Sequence, residues 1–87
     1  RRASLGTMPD FAFPGPGVRI AAVTDGSPAA GAGLQPGDVI VELAGEPVAD
    51  LKAYSAALRA PQPGETVAVT FLRGAERRTA TVTLGAR

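Results

Sequence analysis

Histidine and cysteine are both absent from this 87-residue chain. The side chains that most often move protons, attack carbonyls or hold transition metals are therefore missing. Asp38 finds no acid, base or metal partner in the sequence, and Glu42, Glu46, Glu65 and Glu76 are scattered, as solvated surface residues are. No catalytic residue, metal ligand or cofactor is assigned within the chain. The chemistry that remains belongs to the backbone. Ser4-Leu5-Gly6-Thr7 sets a glycine turn before a short apolar strand, an arrangement that offers free N–H groups to an anion. On residue type alone, the same residues suit an ordinary turn feeding a strand. A second set sits on a helix. Leu51, Tyr54, Ser55 and Leu58 recur at helical spacing, so that Leu51, Ser55 and Leu58 share one face. Tyr54 is assigned to the core or the helix edge, its hydroxyl reaching water.

These residues need a scaffold. In residues 1–17, Pro9, Pro14 and Pro16 with Gly15 and Gly17 forbid a helix and break any long strand. Val18 to Val23 is a β-prone run, and Asp25-Gly26-Ser27-Pro28 is a turn in which Ser27 caps a short helical turn. Leu34 reads as a buried anchor after Gly33. Pro36-Gly37 leads into a strand over Val39–Leu43, and Ala44-Gly45-Glu46-Pro47 turns the chain again. Asp50 to Arg59 is the one convincing helix, capped by Asp50 and stopped by Pro61 and Pro63. Val67–Leu72 and Ala80–Leu84 form a hairpin around Arg73-Gly74-Ala75-Glu76, apolar residues inward and threonines toward water. The expected core is Leu34, Val39, Val41, Leu58, Val69, Phe71, Val82 and Leu84. The fold class is mainly β: a partly open antiparallel barrel or sandwich of five or six strands, with one main helix and one short helical turn.

Composition narrows the function. With 45% apolar and 20% charged residues, the chain is a single globular domain. A net charge of +1 and two short basic pairs, Arg1-Arg2 and Arg77-Arg78, lack the aromatic interleaving of a nucleic-acid surface. No apolar run approaches the ~20 residues that a membrane-spanning helix needs. The chain begins without methionine or a signal-like segment, and so reads as a piece of a longer protein.

Gly26-Ser27-Pro28-Ala29, Ala32-Gly33-Leu34 and Gly37-Asp38-Val39-Ile40 resemble the signature of bacterial PDZ domains, and the likeness extends over nearly the whole of residues 1–87. The order resembles the permuted bacterial form, in which the final strand Thr79–Leu84 replaces the N-terminal strand of animal domains. The resemblance implies a peptide-binding module. Leu5, Gly6 and Thr7 would match the family's carboxylate-binding loop, with Ser4 at its first position. Met8 and Pro9 would follow on the ligand-pairing strand, and Leu51, Ser55 and Leu58 would line the groove from the helix. Leu51 stands where one class of these domains has a histidine, which argues for an apolar ligand side chain two residues before the C-terminus. Thr7 departs from the usual large apolar residue. Pro9 departs further, because it has no N–H to give an incoming strand.

Residues 4–13 and the ending Val82-Thr83-Leu84-Gly85 resemble most the PDZ domain on the C-terminal side of bacterial zinc aminopeptidases. That likeness implies a parent peptidase that uses zinc outside this domain, in the periplasm or secreted. Trypsin-like periplasmic serine proteases and site-two-type membrane proteases carry similar modules and stand as alternative parents. The expected partner is a protein C-terminus or an extended apolar peptide. The alternative is a structural domain whose groove docks on its parent catalytic domain.

Overall fold

The computed structural model describes residues 3–86; the Arg1-Arg2 pair lies outside them. Among the described residues, eight strands and two helices run in the order β1 (Ala3–Ser4), β2 (Thr7–Pro9), β3 (Val18–Val23), α1 (Pro28–Gly31), β4 (Val39–Leu43), β5 (Glu46–Pro47), α2 (Leu51–Ala57), β6 (Thr66–Arg73), β7 (Glu76–Thr83) and β8 (Gly85–Ala86). One antiparallel sheet has the order β2-β3-β4-β6-β7, with β5 hanging from β4; β1 and β8 form a separate pair. The sheet does not close. Its core holds Leu5, Val18, Ile20, Leu34, Ile40, Leu43, Tyr54, Val69, Phe71, Val82 and Leu84, with α2 lying over the open side. This is the mainly β, open sandwich that the alternation and helical spacing imply.

Ser27 caps α1 through its side chain, which accepts from the Ala30 N–H, and Pro28 opens the helix. Asp50 caps α2 in the same way, accepting from Ala53 at 2.8 Å. The helix ends at Ala57 with Leu58 as its C-cap, two residues short of the expected Arg59. Pro61 explains the early stop: it has no N–H to give the Ala57 carbonyl, its ring crowds that carbonyl, and it turns Ala60 away from helical angles.

The expected core needs one correction. Val39, Val41 and Leu58 are only half-buried, whereas Ile40 and Leu43 are fully enclosed. Simple alternation fails because β4 carries a bulge: Ile40 opposes Phe71 and Glu42 opposes Thr70, leaving Val41 unpaired on β6. An extra residue shifts the face by one, so Ile40 and Leu43 point the same way. The freed Val41 carbonyl accepts from the Val48 N–H at 2.9 Å. Thr70 is also buried rather than wet. It lies on a central strand between Glu42 and Thr79, whose chains cover it. The other hairpin threonines are exposed as expected.

Asp38 anchors the turn before β4. Its carboxylate, 2% exposed, accepts from the Gln35 N–H at 2.8 Å and from Arg73 Nε and Nη2 at 3.0 and 2.9 Å. Arg73 also donates to the Gly33 carbonyl. Burial alone would raise the Asp38 pKa, but the hydrogen bonds from Arg73 and Gln35 outweigh it and hold the group below its usual range. Arg77 and Arg78 are exposed, the latter paired with Glu76 at 2.7 Å.

Candidate functional site

The loop between β1 and β2 is held by its carbonyls. The Leu5 carbonyl accepts from the Ala29 N–H at 2.9 Å, and the Gly6 carbonyl from Thr24 at 3.0 Å. In a trans peptide the C=O and the following N–H point in opposite directions. The N–H groups of Gly6 and Thr7 are thus turned away from the body of the domain, and the Leu5 N–H opens the same loop. Gly6 has φ +83°, and a Cβ there would lie 2.2 Å from Ser27 Cβ. Only glycine fits this seat, and the capped start of α1 braces the loop from behind.

β2 is one edge of the sheet, β7 the other. Antiparallel ladders alternate hydrogen-bonded and non-hydrogen-bonded pairs. Gly6 bonds to Thr24, so the Thr7–Val23 pair is a non-bonded one. Asp10 donates to the Arg19 carbonyl at 2.8 Å, which makes the Pro9–Ile20 pair non-bonded as well. Ile20 spends its own N–H and carbonyl on Asp38 and Gly37 instead. Thr7 and Pro9 therefore direct their backbone groups outward, across a groove toward α2. At Pro9 that edge has an acceptor and no donor.

The groove between β2 and α2 encloses about 710 Å³, and its lining includes Leu5, Gly6, Thr7, Pro9, Leu51, Ser55 and Leu58. Seven of the eight site residues read from the sequence thus meet around one cavity. Met8 does not. Strand alternation turns its side chain away from the face used by Thr7 and Pro9, and it stands 61% exposed. Tyr54, assigned from its sequence to the core or the helix edge with a wet hydroxyl, lies in the core, but its hydroxyl meets Thr7 Oγ1 at 2.8 Å rather than open water. Burial pushes its pKa up, against a smaller downward pull from the Thr7 bond. Its place in the Leu51–Leu58 stripe was the available signal.

Phe11, Arg59 and Gln62 also border the groove and had no such signal. Phe11 is 77% exposed in the β2–β3 turn. That turn is held by Arg19, whose Nε and Nη2 reach Asp10 Oδ2 at 3.0 and 2.6 Å and whose guanidinium lies 4.7 Å above the Phe13 ring. The hydrogen bond from Arg19 is the main reason the Asp10 carboxyl sits below its usual range. Among the described residues, no three His, Cys, Asp or Glu side chains gather to hold a metal.

Comparison with known proteins agrees with this geometry. The PDZ domain family model matches residues 4–84. The chain is 39% identical over 71 residues, 82% of its length, to the magnetosome formation protease MamE of Paramagnetospirillum magneticum. It is 38% identical over 60 residues, 69% of its length, to a probable periplasmic serine endoprotease of DegP-like type from Rhizobium meliloti. It spans only 10% and 12% of those two proteins. Among solved structures, the HtrA-type protease AlgW with a decapeptide superimposes with a TM-score of 0.90 at 26% identity, over 99% of this chain and 30% of that one.

An aminopeptidase N family protein from Idiomarina loihiensis shares the fold at 27% identity and a TM-score of 0.84, over 97% of this chain and 14% of its own. Shape is thus common to both kinds of parent, and the curated sequence relatives separate them. They are named as proteases, among them DegP-like periplasmic serine endoproteases, and AlgW is named as HtrA-type, which overturns the zinc aminopeptidase expected from residues 4–13. Leu-Gly-Thr-x-Pro-Asp is a loop-and-edge segment shaped by the groove, so it reports the module rather than the enzyme attached to it. The chain belongs to the PDZ domain family.

Proposed function

We propose that this chain is the peptide-binding module of a bacterial exported serine protease of the HtrA type. The curated DegP-like relatives are named as periplasmic, which supports a periplasmic or secreted location. The observation that carries the reading is the open edge of β2 beside the outward N–H groups of Gly6 and Thr7. A free C-terminus adds to β2 as a further antiparallel strand. Its carboxylate sits on the N–H groups of Leu5, Gly6 and Thr7, and the Thr7 carbonyl accepts from the ligand's last N–H. The final side chain enters the pocket between Thr7 and Leu58. The side chain two residues earlier lies against Leu51, which favours an apolar group there. Peptide complexes of AlgW support this mode of use.

The test compares C-terminal peptides with their amidated forms by calorimetric titration. The acids bind tightly and the amides weakly, because amidation removes the charge that the N–H cluster holds. Equal affinity for the two forms refutes carboxylate capture. Complete absence of binding shifts the reading to a groove that docks on its parent catalytic domain, the role that Thr7 and Pro9 favour.

A further inference from the structure

The wall of the terminal pocket is unusually polar for a site that receives a hydrocarbon side chain. Thr7 Oγ1 on β2 and the Tyr54 hydroxyl on α2 lie 2.8 Å apart, and both residues line the groove. When two hydroxyls touch, one donates and the acceptor keeps its own O–H. The pair always retains one unused donor and several unused lone pairs. Burial of Tyr54 raises its pKa, so both protons stay in place near neutral pH. Ser55, next along the helix, puts a third hydroxyl on the same rim.

A ligand seated as proposed above lays its last side chain against this pair. A hydrocarbon group there strips water from the spare donor and returns nothing, whereas a hydroxyl restores the lost bond. We infer that the Thr7–Tyr54 hydroxyl pair is a specificity-determining element that selects peptides ending in a short hydroxyl residue, threonine or serine, over the hydrocarbon isostere. The inference rests on the reading of the groove as a site for a free C-terminus.

Valine and threonine have nearly the same shape and differ by a methyl against a hydroxyl, which makes the test a comparison of one group. Two peptides of the same length, identical except for a terminal Val or Thr, are titrated into the unaltered domain, with the amidated Thr peptide alongside. The Thr acid is expected to bind about threefold to tenfold more tightly than the Val acid, the value of one neutral hydrogen bond. The amide is expected to bind far more weakly than either. In the double variant Thr7→Val/Tyr54→Phe, checked for native circular dichroism, the preference shrinks to within about twofold, whereas either single change still leaves one hydroxyl with a free O–H.

Equal or tighter binding of the Val acid by the unaltered domain overturns the inference, and a clear acid–amide difference in the same titration leaves carboxylate capture standing. A threonine preference that survives in the double variant also overturns it. If acid and amide bind alike, carboxylate capture fails, and the selection built on it fails with it.

Discussion

Replacing Pro9 by valine tests the groove at its weakest point. The ladder places residue 9 in a non-bonded pair with Ile20, so its backbone nitrogen faces the ligand side of β2. Valine supplies the missing N–H without disturbing β3, whose Ile20 already bonds to Gly37 and Asp38. One neutral backbone hydrogen bond contributes about 0.5–1.5 kcal/mol. With tenfold in affinity for each 1.4 kcal/mol, the gain is about threefold to tenfold. The same change frees the unfolded chain and costs up to about 1 kcal/mol of stability, a fall of roughly 4–8 °C in Tm for a domain of this size. Valine's preference for extended backbone offsets part of that loss. The expected result is tighter peptide binding by a slightly less stable domain, read by calorimetric titration and a thermal melt of the same sample. Unchanged or weaker binding by a folded variant refutes strand addition at β2 and favours a docking role for the groove.

Gly6→Ala should abolish measurable peptide binding and lower Tm, since an L side chain at φ +83° meets Ser27 at 2.2 Å; titration and melting together check it. Phe71→Ala should cost about 3–5 kcal/mol in urea unfolding, because the ring is 4% exposed at the centre of the sheet. Asp38 has a folded-state pKa below its ordinary 3.8, so its contribution is complete above that value and is lost as pH falls through the lower folded one. Urea melts at neutral pH and near pH 3 should therefore show a larger acid loss in the parent domain than in Asp38→Asn; equal losses would remove Asp38 as the acid-sensitive group.

The elements were legible wherever a local rule decides them. Asp50 and Ser27 cap as their side chains dictate, Pro28 opens α1, and the β6–β7 hairpin follows its apolar alternation. β4 was misread for a physical reason. Val39, Val41 and Leu43 alternate in sequence, but the bulge at Val41 sets Ile40 and Leu43 on the buried face. A bulge arises from the pairing of two strands, and nothing in the five residues of β4 reveals it. The Asp38–Arg73 ion pair was hidden similarly. The turn bond to Gln35 is three residues away, whereas Arg73 lies 35 residues on, and only the β4–β6 register brings it near.

At the site, the loop and the helix stripe were readable because each is a contiguous pattern. What joins them across the groove was not: Thr7 and Tyr54 are 47 residues apart, and their contact depends on how α2 lies over the open side. Pro9 shows how the two scales combine. Proline is tolerated on an edge strand when its nitrogen faces away from the neighbour, as it does here. It also deprives that edge of a donor, which discourages indiscriminate pairing with other strands. In the proposed mode this loss falls equally on possible ligands. A segment from the middle of a chain has only ladder bonds and loses one of them. A chain end loses the same bond but gains charge-assisted bonds from its carboxylate to the Leu5–Thr7 loop, each roughly twice as strong as a neutral one. Pro9 thus lowers both affinities alike; the preference for termini comes from the Leu5–Thr7 loop, and an internal strand, which cannot use that loop, is left with fewer bonds to hold it.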